Sequence, residues 1–181
     1  MEIERKFLVD TLPENLGQYP SEMIEQAYLC TDPVVRVRRQ GEDFWLTYKG
    51  KGLMAREEYN LPLNETAYAH LLAKADGNII TKRRYRIPLG EAPTARAADK
   101  PAGKGGDAST HADESARKRE NGLTAELDVF EGKFAGLVIV ETEFPDEETA
   151  NAFTPPAWFG EEVTWTNAYH NSVLSQRRFP L

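Results

Sequence analysis

The sequence predicts a mainly antiparallel α+β fold, an eight-stranded closed β-barrel with a few flanking helices. Short runs rich in β-branched and aromatic residues follow one another, turn chemistry separates them, and only a few segments carry a helical period. In chain order the strands are expected at 2–9, 22–30, 34–40, 43–50, 54–61, 78–88, 124–131 and 135–144. Thr31-Asp32-Pro33, Gly41-Glu42, Gly50-Lys51-Gly52 and Gly132-Lys133 supply turns of the kind antiparallel hairpins need. The clearest helix is expected over 64–75, with Tyr68, Leu71, Leu72 and Ala75 on one face and Asp76-Gly77 as its stop. A second follows Pro145-Asp146 through about Phe153, and a third covers about 168–176. Eight strands with helices outside them close into a barrel wide enough to hold a ligand.

Composition narrows the function. The chain has 181 residues, a net charge of -7 and 40% hydrophobic residues, the balance of one globular domain. Cys30 is the only cysteine, which excludes an internal disulfide framework and a multi-cysteine zinc site. No apolar run approaches a membrane span, and Met1-Glu2-Ile3-Glu4-Arg5-Lys6 is unlike a signal peptide, so a cytoplasmic address is expected. The acidic balance speaks against nucleic acid bound through broad electrostatics, yet 22 lysines and arginines can still be gathered in one place. From 91 to 122 there is no Val, Ile, Leu, Met, Phe, Tyr or Trp, so this stretch is expected to be a disordered loop interrupting a single domain over 1–181.

Charge parity then sets the direction of the strands. Glu2, Glu4 and Lys6 share a face, as do Arg36 and Arg38; Lys82, Arg84 and Arg86; Glu126 and Asp128; and Glu141 and Glu143. Lys49 stands in an otherwise apolar and aromatic strand, and Arg56 and Glu58 complete the set. The opposite parity is apolar, with Val35, Val37, Leu127, Val129, Val138 and Val140. An ordinary sheet with one wet face would show this pattern strand by strand. If the helices pack outside, however, the charged parity points inward and lines the lumen. Acidic pairs at i, i+2 can converge on a divalent cation through hard oxygens, while arginines and lysines suit phosphate oxygens.

The ordered motifs resemble the CYTH family, the triphosphate tunnel metalloenzymes. They are Glu2-Ile3-Glu4-Arg5-Lys6, Arg36-Val37-Arg38, Leu46-Thr47-Tyr48-Lys49-Gly50, Arg56-Glu57-Glu58, Thr81-Lys82-Arg83-Arg84-Tyr85, Glu126-Leu127-Asp128-Val129-Phe130-Glu131-Gly132 and Val140-Glu141-Thr142-Glu143-Phe144. The resemblance implies an eight-stranded tunnel that binds a triphosphate together with Mg²⁺ or Mn²⁺. It makes Glu2, Glu4, Asp128, Glu141 and Glu143 the metal-binding carboxylates, with Glu126 and Glu58 close by. Lys6, Arg36, Arg38, Lys49, Lys82 and Arg84 become the phosphate-binding set. Lys6, Arg56, Glu58, Lys82 and Glu126 are its catalytic candidates, acting by positioning and charge neutralisation rather than as a strong general base.

The stretch Thr166-Asn167-Ala168-Tyr169-His170-Asn171-Ser172-Val173-Leu174 resembles the family's closing segment, whose helix plugs or lines one tunnel end. Where related sequences place a lysine and a glycine, this chain has Gln176-Arg177-Arg178-Phe179-Pro180, so Arg177 and Arg178 receive no role. His70, His111 and His170 are too scattered to suggest a histidine metal centre, and Ser172 and Ser175 carry no nucleophile signature. Cys30 reads as a core or rim thiol. Trp45, Trp158 and Trp165 read as packing rather than base stacking. The expected activity is hydrolysis of inorganic triphosphate. Class IV adenylyl cyclase, thiamine or nucleoside triphosphatase, and a non-catalytic polyphosphate-binding module are the alternatives. The expected partner is a small triphosphate, without nucleic acid or membrane, and a homodimer is one open form of assembly.

Overall fold

The computed structural model describes residues 1–90 and 122–178. The expected loop, apart from Gly122, and His111 within it therefore lie outside the described residues.

Nine strands form one antiparallel sheet: β1 (Glu2–Leu8), β2 (Ser21–Thr31), β3 (Val34–Gln40), β4 (Asp43–Lys49), β5 (Ala55–Arg56), β6 (Glu58–Leu63), β7 (Asp76–Gly90), β8 (Leu123–Phe130) and β9 (Val138–Glu143). Their order is β5-β1-β9-β8-β7-β2-β3-β4-β6. Only Glu57 separates β5 from β6, so the two edges of the sheet are consecutive in the chain and the barrel is nearly closed. The single strand expected over 54–61 is thus split. Its second half pairs with β4 as far as Lys49 opposite Glu58, and its first half crosses to β1, with Arg56 opposite Glu2. The Gly50 N–H donates to the Glu57 carbonyl at 2.9 Å and holds the crossing. Arg56 and Glu58 keep the same parity across the break.

Beyond β5, the segment 160–163 covers the rest of β1. Leu8 donates its N–H to Glu161 and Val163 donates to Lys6, each at 2.8 Å. Arg5, on the outer parity, fastens that segment. Its guanidinium reaches both Glu162 oxygens at 2.8 and 2.7 Å and donates to the Ala150 and Phe153 carbonyls at 3.0 and 2.9 Å.

Among the described residues three α-helices flank the sheet. Helix α1 (Glu65–Leu72) is capped by Asn64, whose side chain accepts from the Ala67 N–H at 2.8 Å. It is shorter than its apolar period suggests, because Asp76-Gly77 opens β7 instead of stopping the helix. Helix α2 (Glu147–Ala152) is capped by Asp146 in the same way. The third expected helix resolves into a 3₁₀ turn (Asn167–Tyr169) and α3 (Asn171–Ser175). No described helix is long and apolar enough to cross a membrane.

The apolar parity packs outward under these elements. Leu127 and Val140 join Phe144, Phe153 and Phe159 beneath α2 and the segment after it, while Val37 and Ala27 lie under Tyr68 of α1. At one end of the barrel the inward positions also turn apolar. Tyr28, Ile80, Phe130 and Ile139 pack around Leu174 of α3, which stoppers that end. Charge is thereby confined to the middle and the opposite mouth of the lumen.

A charged tunnel as candidate active site

Inside the barrel is a cavity of about 210 Å³. Its lining includes Glu2, Glu4, Glu58, Glu126, Glu141 and Glu143, together with Lys6, Arg36, Arg38, Lys49, Arg56, Lys82 and Arg84. Every charged residue nominated for the site faces this space except Asp128, while Arg86, of the same parity as Lys82 and Arg84, is outside the lining and pairs with Glu22. The Asp128 carboxylate lies behind Lys82 and Arg84, 1% exposed, and pairs with both. The strand period accounts for the gathering: inward residues alternate along each strand, and register sets Arg84 opposite Asp128, Lys6 opposite Glu141 and Glu4 opposite Glu143.

Most of these charges neutralise one another across strands. Lys6 holds Glu141 at 2.8 Å and Glu4 at 3.7 Å. Arg56 binds Glu2 and Glu4, each at 3.0 Å. Lys49 pairs with Glu2 at 2.7 Å and also with Glu58. Arg84 binds Asp128 at 2.6 Å, Glu141 at 2.9 Å and Glu126.

The pKa shifts follow this network. Burial works against charge on Arg84, but Asp128 and Glu126 outweigh it and raise its pKa well above the ordinary value. Lys6 is raised in the same manner, against burial, by Glu141 and Glu4. Glu141 is likewise buried, yet Lys6, Lys82 and Arg84 hold it well below the usual carboxylate range. For Lys82 burial wins over the pull of Asp128, helped by the nearby Arg84, and lowers the ammonium to about 8.

Arg36 and Arg38 are different. Neither has a carboxylate within ion-pair distance among the described residues, and both Nε groups are buried without a partner. Arg36 donates to the Gln26 side chain at 3.3 Å, with the Tyr28 hydroxyl as a second neutral partner. Arg38 is pushed down to about 10 by burial and by the neighbouring Arg36 and Arg84. Two guanidinium groups left in this state make a site for an anion with several oxygens.

The carboxylates also suit a hard divalent cation. Glu4 stands opposite Glu143, and Glu126 opposite Glu141, so like charges face each other across adjacent strands unless a cation intervenes. As they stand Glu4, Glu126 and Glu141 are paired with lysines and arginines, and among the described residues no group of three His, Cys, Asp or Glu is close enough to hold an ion. Oxygen-only donors on three adjoining strands nevertheless match Mg²⁺ or Mn²⁺ in kind.

Parity reasoning missed several lining residues. Gln26 and Tyr28 share the inward face of β2, but that strand's mixed face hides them. His170, Asn171 and Ser172 enter the lumen from the C-terminal segment, where no strand period exists to reveal them. Among the remaining candidates, Cys30 and His70 are exposed, Trp158 packs in the outer core against Phe159, and Trp165 is exposed. Trp45 is half-buried opposite Arg38.

A model of the CYTH domain matches residues 1–154. The inorganic triphosphatase of Nitrosomonas europaea is 35% identical over 177 residues, 96% of each chain. That of Acetivibrio thermocellus is 31% identical, covering 96% of this chain and 92% of its own. The solved structure of the inorganic triphosphatase NE1496 superposes with a TM-score of 0.61 at 33% identity, covering 98% of this chain and 96% of that one. With the family model spanning most of the sequence and these relatives matching almost its full length, the chain belongs to the CYTH domain family.

Proposed function

We propose that residues 1–181 form a single tunnel domain that hydrolyses inorganic triphosphate with the help of Mg²⁺ or Mn²⁺. The observation that carries this reading is the pair Arg36 and Arg38, cationic, inward-facing and, among the described residues, without carboxylate partners at ion-pair distance, beside a wall of facing glutamates. The names of the two curated relatives support the same substrate.

On this reading Arg36 and Arg38 grip the phosphate chain first. Lys6, Lys49, Lys82 and Arg84 then exchange carboxylate partners for phosphate oxygens, and Glu2, Glu4, Glu141 and Glu143, with Asp128 behind them, would hold the cation. A bound divalent ion neutralises phosphate oxygens and lowers the pKa of the attacking water. Lys6, Arg56, Glu58, Lys82 and Glu126 position the reacting phosphoryl group and offset the charge that builds there. Lys82, buried beside Asp128 and Arg84, is placed to offset charge on a leaving phosphate oxygen. The lining is charged and polar save for Ile24, Tyr28 and Val34, which favours a small inorganic chain over a substrate carrying a base. A cytoplasmic site of action, with no nucleic acid or membrane partner, completes the proposal.

The test offers the purified protein tripolyphosphate, ATP and thiamine triphosphate in separate reactions with Mg²⁺ or Mn²⁺, measuring phosphate and cyclic AMP. Rapid phosphate release from tripolyphosphate is the expected result. Cyclic AMP from ATP would replace the hydrolase reading with a cyclase, and binding without turnover would leave a polyphosphate-binding module.

A further inference from the structure

A second cavity, of about 360 Å³, lies beside the phosphate lumen, bounded by the 31–34 turn, the 49–53 loop and the segment 167–173. Val34, Lys49, Arg56, His170 and Ser172 line both spaces. What divides them is therefore thin, and His170 is its largest part from the C-terminal segment. Beyond it the second cavity presents Lys51 as well as Lys49 and Arg56, against the single carboxylate of Asp32. Lys49 and Arg56 are paired with Glu2, Glu4 and Glu58 on the lumen side, so Lys51 is the cation this cavity adds of its own and the one a longer phosphate chain would meet beyond the divider.

The divider is firmly seated. The His170 N–H donates to the Asn167 carbonyl at 3.0 Å, and its own carbonyl accepts from Val173 and Leu174, each at 2.9 Å. Leu174 is fully buried in the apolar stopper, and the Asn78 amide donates to the Ser175 and Arg177 carbonyls at 3.0 and 2.7 Å. Removing the imidazole alone leaves this backbone seat in place. Burial, with Lys6 and Arg56 nearby, also keeps the ring neutral at physiological pH, so it adds no cation that would draw the chain past it.

We propose that His170 is a chain-length stop: it ends the lumen at a triphosphate and bars longer linear polyphosphates from Lys51 and the cavity behind it. This rests on the triphosphatase reading, and its test separates the two. Rates and calorimetric binding are measured with tripolyphosphate and with linear tetraphosphate, for the parent, His170→Ala and the double variant His170→Ala/Lys51→Glu. The parent is expected to favour tripolyphosphate. His170→Ala should raise the tetraphosphate-to-tripolyphosphate ratio of kcat/KM, and the ratio of affinities, about tenfold, and Lys51→Glu should cancel that gain. Unchanged ratios in His170→Ala, or a gain indifferent to Lys51→Glu, overturn the stop. If the parent turns over neither chain, the triphosphatase reading fails, and the binding ratios of metal-free protein still decide the stop. Should His170→Ala fold poorly, His170→Asn, which shortens the side chain and keeps it polar, is read the same way.

Discussion

On β3 the lumen presents Arg36 and Arg38 with no carboxylate at ion-pair distance among the described residues, whereas on β1, β9, β8 and β7 every lysine and arginine facing the cavity already holds an acid. The second wall is close to self-sufficient. Its pairs are buried, and losing one partner would strand the other in a poor solvent for charge. The first wall stores a cost. Burial and mutual repulsion disfavour the charged form of Arg38, and an anion arriving there relieves that cost. One wall thus supplies most of the drive to bind, while the other supplies an ordered set of carboxylates and ammonium groups that exchange partners around the bound chain.

Chelation gives the largest effect with which to break this comparison. Turnover should vanish in excess chelator while the melting temperature barely changes, since the lumen pairs neutralise themselves without metal. Full activity under chelation would remove the role given to the glutamate wall. Next comes Arg38→Ala. Losing one charge-assisted partner from a desolvated anion site should cost about 2–5 kcal/mol of tripolyphosphate binding, read by calorimetry. Its companion Arg38→Met should raise the melting temperature of the ligand-free protein, because it removes a half-buried cation whose Nε has no hydrogen-bond partner. A falling melting temperature would show that the arginine wall is not strained.

Glu4→Gln should act in the opposite sense. It weakens the partner of Lys6 and Arg56, lowers stability by about 1–3 kcal/mol in denaturant titration, and reduces turnover chiefly by raising the divalent-ion concentration required. Arg5→Ala, outside the barrel, is the control. It leaves the Ala150 and Phe153 carbonyls short of a donor and should cost about 1–3 kcal/mol of stability without changing tripolyphosphate affinity.

The smallest effect is on pH. The hydrogen bond from Arg5 holds Glu162 below its ordinary pKa, with Thr164 assisting against partial burial. That pair therefore contributes stability above the unfolded carboxylate value of about 4.3, and loses it as pH falls through the lower folded value. Glu162→Gln should flatten this part of the acid-unfolding curve and leave the lumen's own acid response intact.

Which side chains meet in the lumen was readable because strands have a period of two. Arg36 and Arg38, Lys82 and Arg84, and Glu141 and Glu143 each announce a shared face in the sequence, and outward helix packing turns that face inward. Partner choice was not readable. Parity groups Asp128 with Glu126, but only the register and reach of Lys82 and Arg84 bury Asp128 behind them while Glu126 stays at the cavity surface. The break at Glu57 has no glycine or proline to mark it and follows from the geometry of closing a barrel. His170 reaches the lumen through tertiary placement of a short helix, which leaves no local period.

That break has a dynamic consequence. Along β5 the barrel is held shut by two residue pairs, Glu2 with Arg56 and Ile3 with Ala55, and by the Glu4 N–H reaching the Met54 carbonyl at 2.9 Å. So short a zipper should breathe more often than the long ladders between β2, β7 and β8, and its amides should exchange with deuterium first. The same few residues place Glu2, Glu4 and Arg56 on the lumen. Any occupant that engages these three side chains also pins the zipper, so hydrogen exchange at Ala55 and Arg56 becomes a reporter of tunnel occupancy that requires no turnover.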